Sequence, residues 1–572
     1  MVQALFTQWL HHPYFDPATR EELAAIAGDE REIEDRFYRH LEFGTGGLRG
    51  LIGAGTNRIN RYTVRLATQG LADYIRSFGP EAMRRGVAIA HDSRRFSPEF
   101  AREAALTLSA SGIAAYLWDS LRPTPMLSFA VRELGAIAGI VITASHNPPE
   151  YNGYKVYWED GGQVPPERAA AIQAAIGAVD DLTNIRPMGE EEARARGLLR
   201  YVPEAVDQAY IERLLSLVRT APAERAACRI LYSPLHGSGN LPVREALSRA
   251  GYPVAVVAEQ EAPDPNFSTV RYPNPEEAEV FTLALKQAER ERPDVIMATD
   301  PDADRLGVLA LDRDGAYRLL SGNQIGAILA DYILSSQAAA GSLPANGAII
   351  KTIATSNMIA ALCQAHGVAL CDTHTGFKFI GDKIREFEET GSHTFLLGYE
   401  ESYGYLGATF VRDKDAVMAA LLVAEATAYH KAQGRTLYDA LKAIWARCGV
   451  FREELHNVTL PGKDGQAKIA ALMEALRRTP PAHFGPVAVA FADDYGAGTG
   501  LDLASGQPYP LPLAKANVLH YRFADGGFVM VRPSGTEPKL KLYVSVTGRD
   551  EAEAERLVQA VKADAIRQMG LA

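Results

Sequence analysis

"AIAGIVITASHNPPEYNGYKVY", Ala136 to Tyr157, decides how this chain is to be read. Its first half is an apolar run of strand length that stops abruptly at Thr143-Ala144-Ser145-His146. Two prolines and an Asn152-Gly153 pair follow, and such pairs usually mark turns. A buried strand ending in a polar loop is how α/β proteins present ligand-binding residues. Working outward, "GVAIAHDSR", "REAALTLSASG" and "IAGIVITASHN" read as strand, helix, strand. The same rhythm restarts at "ACRILYSPLHGSGN", returns at "PDVIMATDPDADR", and begins a third time near "GAIIKTIATSNMIAALCQAHG". The fold class is therefore α/β, with three similar units that share a pattern without visible identity.

The ends differ from this middle. The first forty residues read as helical, with Asp16 capping a helix that has Pro17 at its first position. "VLHYRFADGGFVMVRPSGTEPKLKLYVSV" reads as two alternating strand patterns flanking a loop, and an amphipathic helix follows, which points to a small α+β domain. Boundaries fall near 205, 322 and 450, so the expected domains are 1–205, 206–322, 323–450 and 451–572.

Composition bounds the function. At 572 residues the chain needs several cores, and 47% hydrophobic with 23% charged residues is a globular balance. The formal net charge of −11 argues against a nucleic-acid binder, whose affinity for phosphate rests on a basic surface. No apolar run approaches the ~20 residues that span a bilayer, and the N-terminus has no signal-peptide pattern. A cytoplasmic protein without membrane or nucleic-acid partners is expected. The four cysteines, Cys228, Cys363, Cys371 and Cys448, lack metal or redox spacing and read as reduced thiols.

Four loops carry chemistry. In "VIMATDPDADRLG" an apolar strand ends at Asp300, and Asp302 and Asp304 follow at intervals of two. In an extended loop that spacing aims three carboxylates one way, which suits a hard divalent cation such as Mg²⁺. A solvated acidic turn and the DxD loop of aspartate-nucleophile phosphatases are the rival readings. Ser145 alone is a weak nucleophile with no GxSxG elbow around it. His146 could orient it, and Lys155, beyond the Asn-Gly pair, could return as a cation or acid/base; a plain capping serine is the alternative. "GYEESYGY" pairs Glu400 and Glu401 with Ser402, groups suited to sugar hydroxyls or simply to an exposed turn. "VRPSGTEPKLK" gathers Arg532, Ser534, Gly535 and Thr536 at a turn, a credible phosphate clamp.

Taken together these stretches resemble the α-D-phosphohexomutase family, and most closely its longer phosphoglucomutase branch. "FGTGGLRG", "TASHNPPEYNGYKVY", "PDPNF", "PNPEE", "DPDADRLG", "THTGFKFI", "GYEESYGY" and "RPSGTEPKLKLY" occur in the family's order across nearly the whole chain. The resemblance implies three similar α/β domains and a smaller C-terminal one around a central cleft. It implies that Ser145 is the phosphoserine, that His146, Lys155, Arg49 and Arg305 are catalytic-loop residues, and that Lys155 is the general acid/base. Mg²⁺ would be held by Asp300, Asp302, Asp304 and a phosphoserine oxygen. Lys378, Glu400 and Ser402 would meet the sugar, and Arg532, Ser534, Gly535 and Thr536 the distal phosphate. The implied reaction interconverts glucose 1-phosphate and glucose 6-phosphate, with glucose 1,6-bisphosphate as intermediate and activator, in a monomer or small homo-oligomer. Mannose phosphates are further candidate substrates. A phosphopentomutase, a glucose 1,6-bisphosphate synthase and a sugar-phosphate-binding protein without turnover are the competing readings.

Overall fold

The computed structural model describes residues 2–44, 46–460, 463–534 and 539–571. The chain forms two compact units, one of Met1–Ser321, Ile384–Glu386 and Ser402–Leu437, the other of Gly322–Lys383, Phe387–Glu401 and Tyr438–Ala572.

The first unit opens with three helices, Val2–His11, Pro17–Ala25 and Glu30–Phe37. Asp16 caps the second as expected, its Oδ1 accepting from Thr19 N at 2.8 Å. Trp9, Phe15, Phe37 and Tyr62 bury their rings against one another and fasten these helices to the sheet domain that follows.

Its first sheet contains β1 (Gly47–Leu51), β2 (Val87–His91), β3 (Ala115–Leu117), β4 (Ala138–Ile142), β5 (Tyr151–Trp158) and β6 (Leu199–Tyr201), in the order β1-β5-β4-β2-β3-β6. β4, β2, β3 and β6 are mutually parallel, β5 runs against them, and the edge strand β1, antiparallel to β5, shares their direction. Every residue of β2 and β4 is buried, because helices cover both faces. Gly139 lets helix Thr124–Glu133 lie against β4, since a Cβ there would sit 2.6 Å from Val131 Cγ2.

The second sheet, also in the first unit, contains β7 (Ile230–Ser233), β8 (Val254–Val256), β9 (Val295–Thr299), β10 (Leu306–Leu311) and β11 (Tyr317–Leu319), in the order β11-β10-β9-β7-β8. In the second unit β12 (Gly347–Thr352) lies between β13 (Ala369–Thr373) and β14 (Thr394–Glu400), all parallel. The expected repetition is thus visible in strand order. β3-β2-β4, β8-β7-β9 and β13-β12-β14 are the same parallel triplet, and Ser145 and Asp300 lie in the loops that leave β4 and β9 while Glu400 ends the corresponding strand β14. A short strand β15 (Gly404–Leu406) returns the chain to the first unit.

The C-terminal domain is antiparallel, built from β16 (Val450–Thr459), β17 (His483–Phe484), β18 (Val487–Asp494), β19 (Thr499–Asp502), β20 (Pro508–Pro510), β21 (Leu519–Phe523), β22 (Phe528–Pro533) and β23 (Lys539–Gly548). The stretch read as two strands contains three, because Ala524–Gly527 turns the chain between β21 and β22. There Asp525 Oδ1 accepts from Gly527 N at 3.0 Å and Gly526 takes a φ of 91°. Helix Glu551–Gln568, capped by Asp550, packs on this sheet.

Candidate active site

β4 ends at Ile142, and Ser145 lies three residues on with a φ of 54°, a left-handed conformation costly for any residue with a Cβ. Arg94 holds it there. Its guanidinium, fully buried, donates to the carbonyls of Ser145 and Asn147, to Pro148 O at 2.8 Å and to Tyr151 O at 3.1 Å. Asp92 Oδ2 balances that charge at 3.2 Å from Arg94 Nε and accepts from Thr143 Oγ1 at 2.7 Å. Thr143 Oγ1 in turn accepts from Ser145 N at 2.8 Å. The serine loop is therefore pre-formed by Arg94 and Asp92, which lie outside the motif, acting with Thr143 at its start.

The Asn152-Gly153 pair is not a turn. Both residues lie inside β5, and the chain reverses earlier, where Tyr151 N donates to Pro148 O at 3.1 Å. Gly153 is required because a Cβ would fall 2.5 Å from Thr143 O and 2.8 Å from Leu48 O on the two flanking chains. Being a strand residue, Lys155 is carried back alongside β4, opposite Val141.

Asp300 follows β9 directly, and the loop after it is a tight turn, in contrast to the extended loop expected. Ala303 N donates to Asp300 O at 2.9 Å, and Ala303 takes a φ of 48°. The turn gathers carboxylate oxygens of Asp300, Asp302 and Asp304 within 4.8 Å of one another, all three residues buried. Ser145 Oγ donates to Asp300 Oδ2 at 2.7 Å and lies 3.2 Å from His146 Nδ1. Lys155 Nζ sits 2.7 Å from Asp302 Oδ2 and 3.4 Å from Asp304 Oδ2. Arg305 donates its amide to Asp300 Oδ1 at 3.0 Å, and Arg49 Nη1 reaches Asn147 Oδ1 at 3.4 Å.

The electrostatics follow from this crowding. Burial, reinforced by Asp302 and Asp304, pushes the Asp300 carboxyl well above the usual carboxylate range. For Asp302 burial acts the same way, yet Lys155 and Lys414 outweigh it and hold the group ionised, and Asp304 follows suit. The same carboxylates more than offset the burial of Lys155 and hold it protonated. His146 is driven well below its ordinary value by burial and by the charges of Arg305 and Arg49, so it is neutral. Oδ1 of Asp302 and Oδ1 of Asp304 are buried without a hydrogen-bond donor. Two orphaned carboxylate oxygens in a buried aspartate triad fit a hard divalent cation.

Besides Arg94 and Asp92, further contributors were not legible in the sequence. Thr124 donates from its hydroxyl to Asp302 Oδ2 at 3.0 Å and from its amide to Asp302 O at 2.9 Å. Lys414 Nζ lies 3.2 Å from Asp304 Oδ2 and 3.2 Å from Asp413 Oδ1, and Tyr157 donates to Asp413 Oδ2 at 2.7 Å. The alternating charges of "VRDKDA" were the only available signal for Lys414.

Of the remaining expected residues, Ser402 belongs to the first unit, and Lys378, Glu400, Arg532 and Ser534 belong to the second. Glu400 ends β14 and is buried, while Glu401 Oε2 accepts from Thr352 Oγ1 at 3.0 Å. Lys378, on helix Phe377–Thr390, has its ammonium 5.4 Å from the Phe379 ring centre, and burial lowers its pKa. Arg532, on β22, donates to Thr375 Oγ1. Ser534 donates its amide to Lys539 O at 2.8 Å. Gly535 and Thr536 lie outside the described residues.

Comparison with known proteins agrees with this architecture. Models of the phosphoglucomutase/phosphomannomutase family match as alpha/beta/alpha domain I at residues 40–182, domain II at 208–313, domain III at 321–448 and the C-terminal domain at 455–563. A phosphoglucomutase of Staphylococcus haemolyticus is 37% identical over 514 residues, covering 90% of this chain and 91% of that protein. One from Staphylococcus epidermidis is 38% identical over 517 residues, covering 90% and 92%. The solved open form of pp63/parafusin, a Paramecium phosphoglucomutase, superposes with a TM-score of 0.68 at 18% identity over 93% of this chain and 96% of that one, a likeness of fold. The protein is an enzyme, an intramolecular phosphotransferase of the isomerase class. The chain belongs to the phosphoglucomutase/phosphomannomutase family.

Proposed function

We propose that the chain interconverts α-D-glucose 1-phosphate and glucose 6-phosphate through a phosphorylated Ser145 and a glucose 1,6-bisphosphate intermediate. The observation that carries this reading is the Ser145 hydroxyl 2.7 Å from Asp300 Oδ2, beside an aspartate triad with orphaned oxygens and a protonated lysine. Phosphoryl transfer demands charge neutralisation and positioning more than covalent machinery, and these are the properties assembled here.

Asp300, Asp302 and Asp304, with an oxygen of phosphorylated Ser145, would hold Mg²⁺. Bound there, the cation would neutralise charge on the transferring phosphoryl group. In the first half-reaction the P–O bond to Ser145 Oγ breaks as the free sugar hydroxyl attacks phosphorus and loses its proton. Lys155, held protonated, gives its proton to the departing serine oxygen and takes up the one the sugar hydroxyl loses, so it ends the step protonated; in reverse the same transfers run backwards. Arg94, bonded to the Ser145 carbonyl, keeps the serine backbone in one place throughout, so little reorganisation is needed at the moment of transfer. His146, being neutral, orients Ser145 without adding charge. The bisphosphate then turns end for end and returns its other phosphate to Ser145.

Lys378, Glu400 and Ser402 are assigned to the sugar, and Arg532, Ser534, Gly535 and Thr536 to the phosphate that is not reacting. The chain divides for this purpose into segments 1–205, 206–322, 323–450 and 451–572. Among the described residues no helix is long and apolar enough to cross a membrane.

The testing experiment compares kcat/KM for glucose 1-phosphate and ribose 1-phosphate with Mg²⁺ present, each primed with its matching bisphosphate. A strong glucose preference supports the proposal. A ribose preference transfers the assignment to a phosphopentomutase, and net accumulation of bisphosphate transfers it to a bisphosphate synthase. Mannose 1-phosphate in the same assay decides the second substrate.

A further inference from the structure

The first unit contains a cavity of about 600 Å³ that the proposed reaction does not use. One wall comes from the segment between β3 and helix Thr124–Glu133, the other from the loop after β7 and the start of helix Asn240–Ala250. Its interior is largely apolar, with Trp118, Met126, Val202 and Ile211 buried along it and Tyr201 and Leu241 at the mouth, 50% and 68% exposed. That volume and lining fall in the range of small-molecule pockets.

The charges at the cavity are unbalanced. The one cation in the lining, Arg122, is already neutralised, since Arg122 Nε donates to Asp207 Oδ2 at 2.9 Å while Trp118 Nε1 donates to Asp207 Oδ1 at 3.0 Å; Arg249, which donates to the lining residue Gln208 at 3.1 Å, is paired with Glu212 and Glu245. Asp119 and Glu204 remain exposed at the rim, and Glu245 stands beyond them, 3.4 Å from Arg249. An apolar hollow with a net acidic rim selects a ligand with a ring or chain for the interior and a cation for the edge.

Residues on and next to the cavity's lining are bonded to the aspartate turn. From one wall Ser238 donates both its amide and its hydroxyl to Pro301 O at 2.8 Å. A Cβ on Gly237 would stand 2.6 Å from Pro301 Cα, so that wall has no slack. From the other wall, two residues beyond Arg122, Thr124 holds both the backbone and the carboxylate of Asp302. The two walls thus grip consecutive residues of the turn.

We propose that this cavity binds a small organic cation, an apolar ring or chain carrying an amine, and that its occupancy alters metal affinity at Asp300, Asp302 and Asp304. The second half rests on the metal site proposed above; the first does not. Spreading or tightening the walls moves Pro301 and Asp302 against Asp300 and Asp304, the two-site arrangement that coupling requires.

The probe is tryptamine, titrated calorimetrically into the full chain, with indole-3-propionate as the anionic control. Expected is saturable binding of the amine and none of the acid. Binding should weaken at least about tenfold in Glu204→Gln/Asp119→Asn, which neutralises the rim, and in Gln208→Trp, which fills the cavity from an exposed position that does not threaten folding. Mn²⁺ affinity, read by electron paramagnetic resonance, should change about fivefold or more with tryptamine bound. No saturable binding, equal binding of the acid, or insensitivity to both variants would overturn the site. Unchanged Mn²⁺ affinity with tryptamine bound would overturn the coupling. Absence of any Mn²⁺ binding would instead count against the metal site, and the amine titration would still decide the cavity. A dimer in sedimentation that Leu241→Glu dissociates would assign the mouth to a second copy and refute the ligand.

Discussion

Thr124→Val tests most directly whether the aspartate turn is held by its neighbours or holds itself. The side chains are nearly the same volume, so packing against β4 is preserved, and the backbone bond from residue 124 to Asp302 O at 2.9 Å survives. What disappears is one hydroxyl donating at 3.0 Å to Asp302 Oδ2 in a buried site. That bond does more than stabilise a charge. By occupying Oδ2 together with Lys155 at 2.7 Å, it fixes the rotation of the carboxylate and leaves Oδ1 aimed away, without a donor. A hydrogen bond to a charged group contributes about 1.5–3 kcal/mol. Because Lys155 still holds the same oxygen, the lower end applies, about 1.5 kcal/mol, or roughly a tenfold weaker metal site. Calorimetric titration of Mn²⁺ into the native chain, Thr124→Val and Thr124→Ser is the assay. The serine variant, which keeps the donor, should bind within about threefold of native, against about tenfold weaker for valine. A valine variant with native affinity would refute the argument that Thr124 orients Asp302.

Ser145→Ala should abolish mutase turnover and leave no phosphate at position 145 by mass spectrometry; a variant of undiminished rate would sink the phosphoserine mechanism. Lys155→Met removes the cation beside Asp302 and Asp304 and the proposed acid, and should lower kcat by about 10²–10⁴ in a steady-state assay. Arg94→Met leaves Asp92 buried without its counter-charge and frees the Ser145 carbonyl, so stability should fall by about 3–5 kcal/mol, read as a lower urea midpoint for the first unit. His520, buried in the C-terminal sheet, is pushed down to about 3 by burial and then by Arg522 and Lys351. Its unfolded form takes up a proton below its ordinary 6.5 while the folded form does not, so the C-terminal domain loses stability as pH falls from 6.5 toward 3. The slope approaches ~1.4 kcal/mol per pH unit, and His520→Phe should flatten that acid limb in urea melts taken at successive pH values.

The sequence by itself determined which stretches are strands and which residues carry charge into the loops after them. Periodicity is local, so the apolar runs before Ser145, Asp300 and Glu400 were legible as β4, β9 and β14, and with them the three α/β units. The cap at Asp16 was legible for the same reason. Local pattern could not tell where the backbone would turn. Asn152-Gly153 reads as a turn, but contacts from Thr143 and Leu48 on both sides draw it into a strand, and that places Lys155 against the aspartates. The spacing of Asp300, Asp302 and Asp304 reads as extended, but a turn with Ala303 in the left-handed region brings their oxygens together. Only tertiary structure could decide these points, because the partners are far apart in sequence. Ser145 and Asp300 are separated by 155 residues and Thr124 and Asp302 by 178, and Arg94 reaches the serine loop across some fifty. A threonine at the start of a helix and an arginine after a strand carry no signature of their own. They acquire a role when packed β-strands and helices bring a buried carboxylate or a strained carbonyl within about 3 Å, the distance at which a hydrogen bond in a water-excluded site becomes strong.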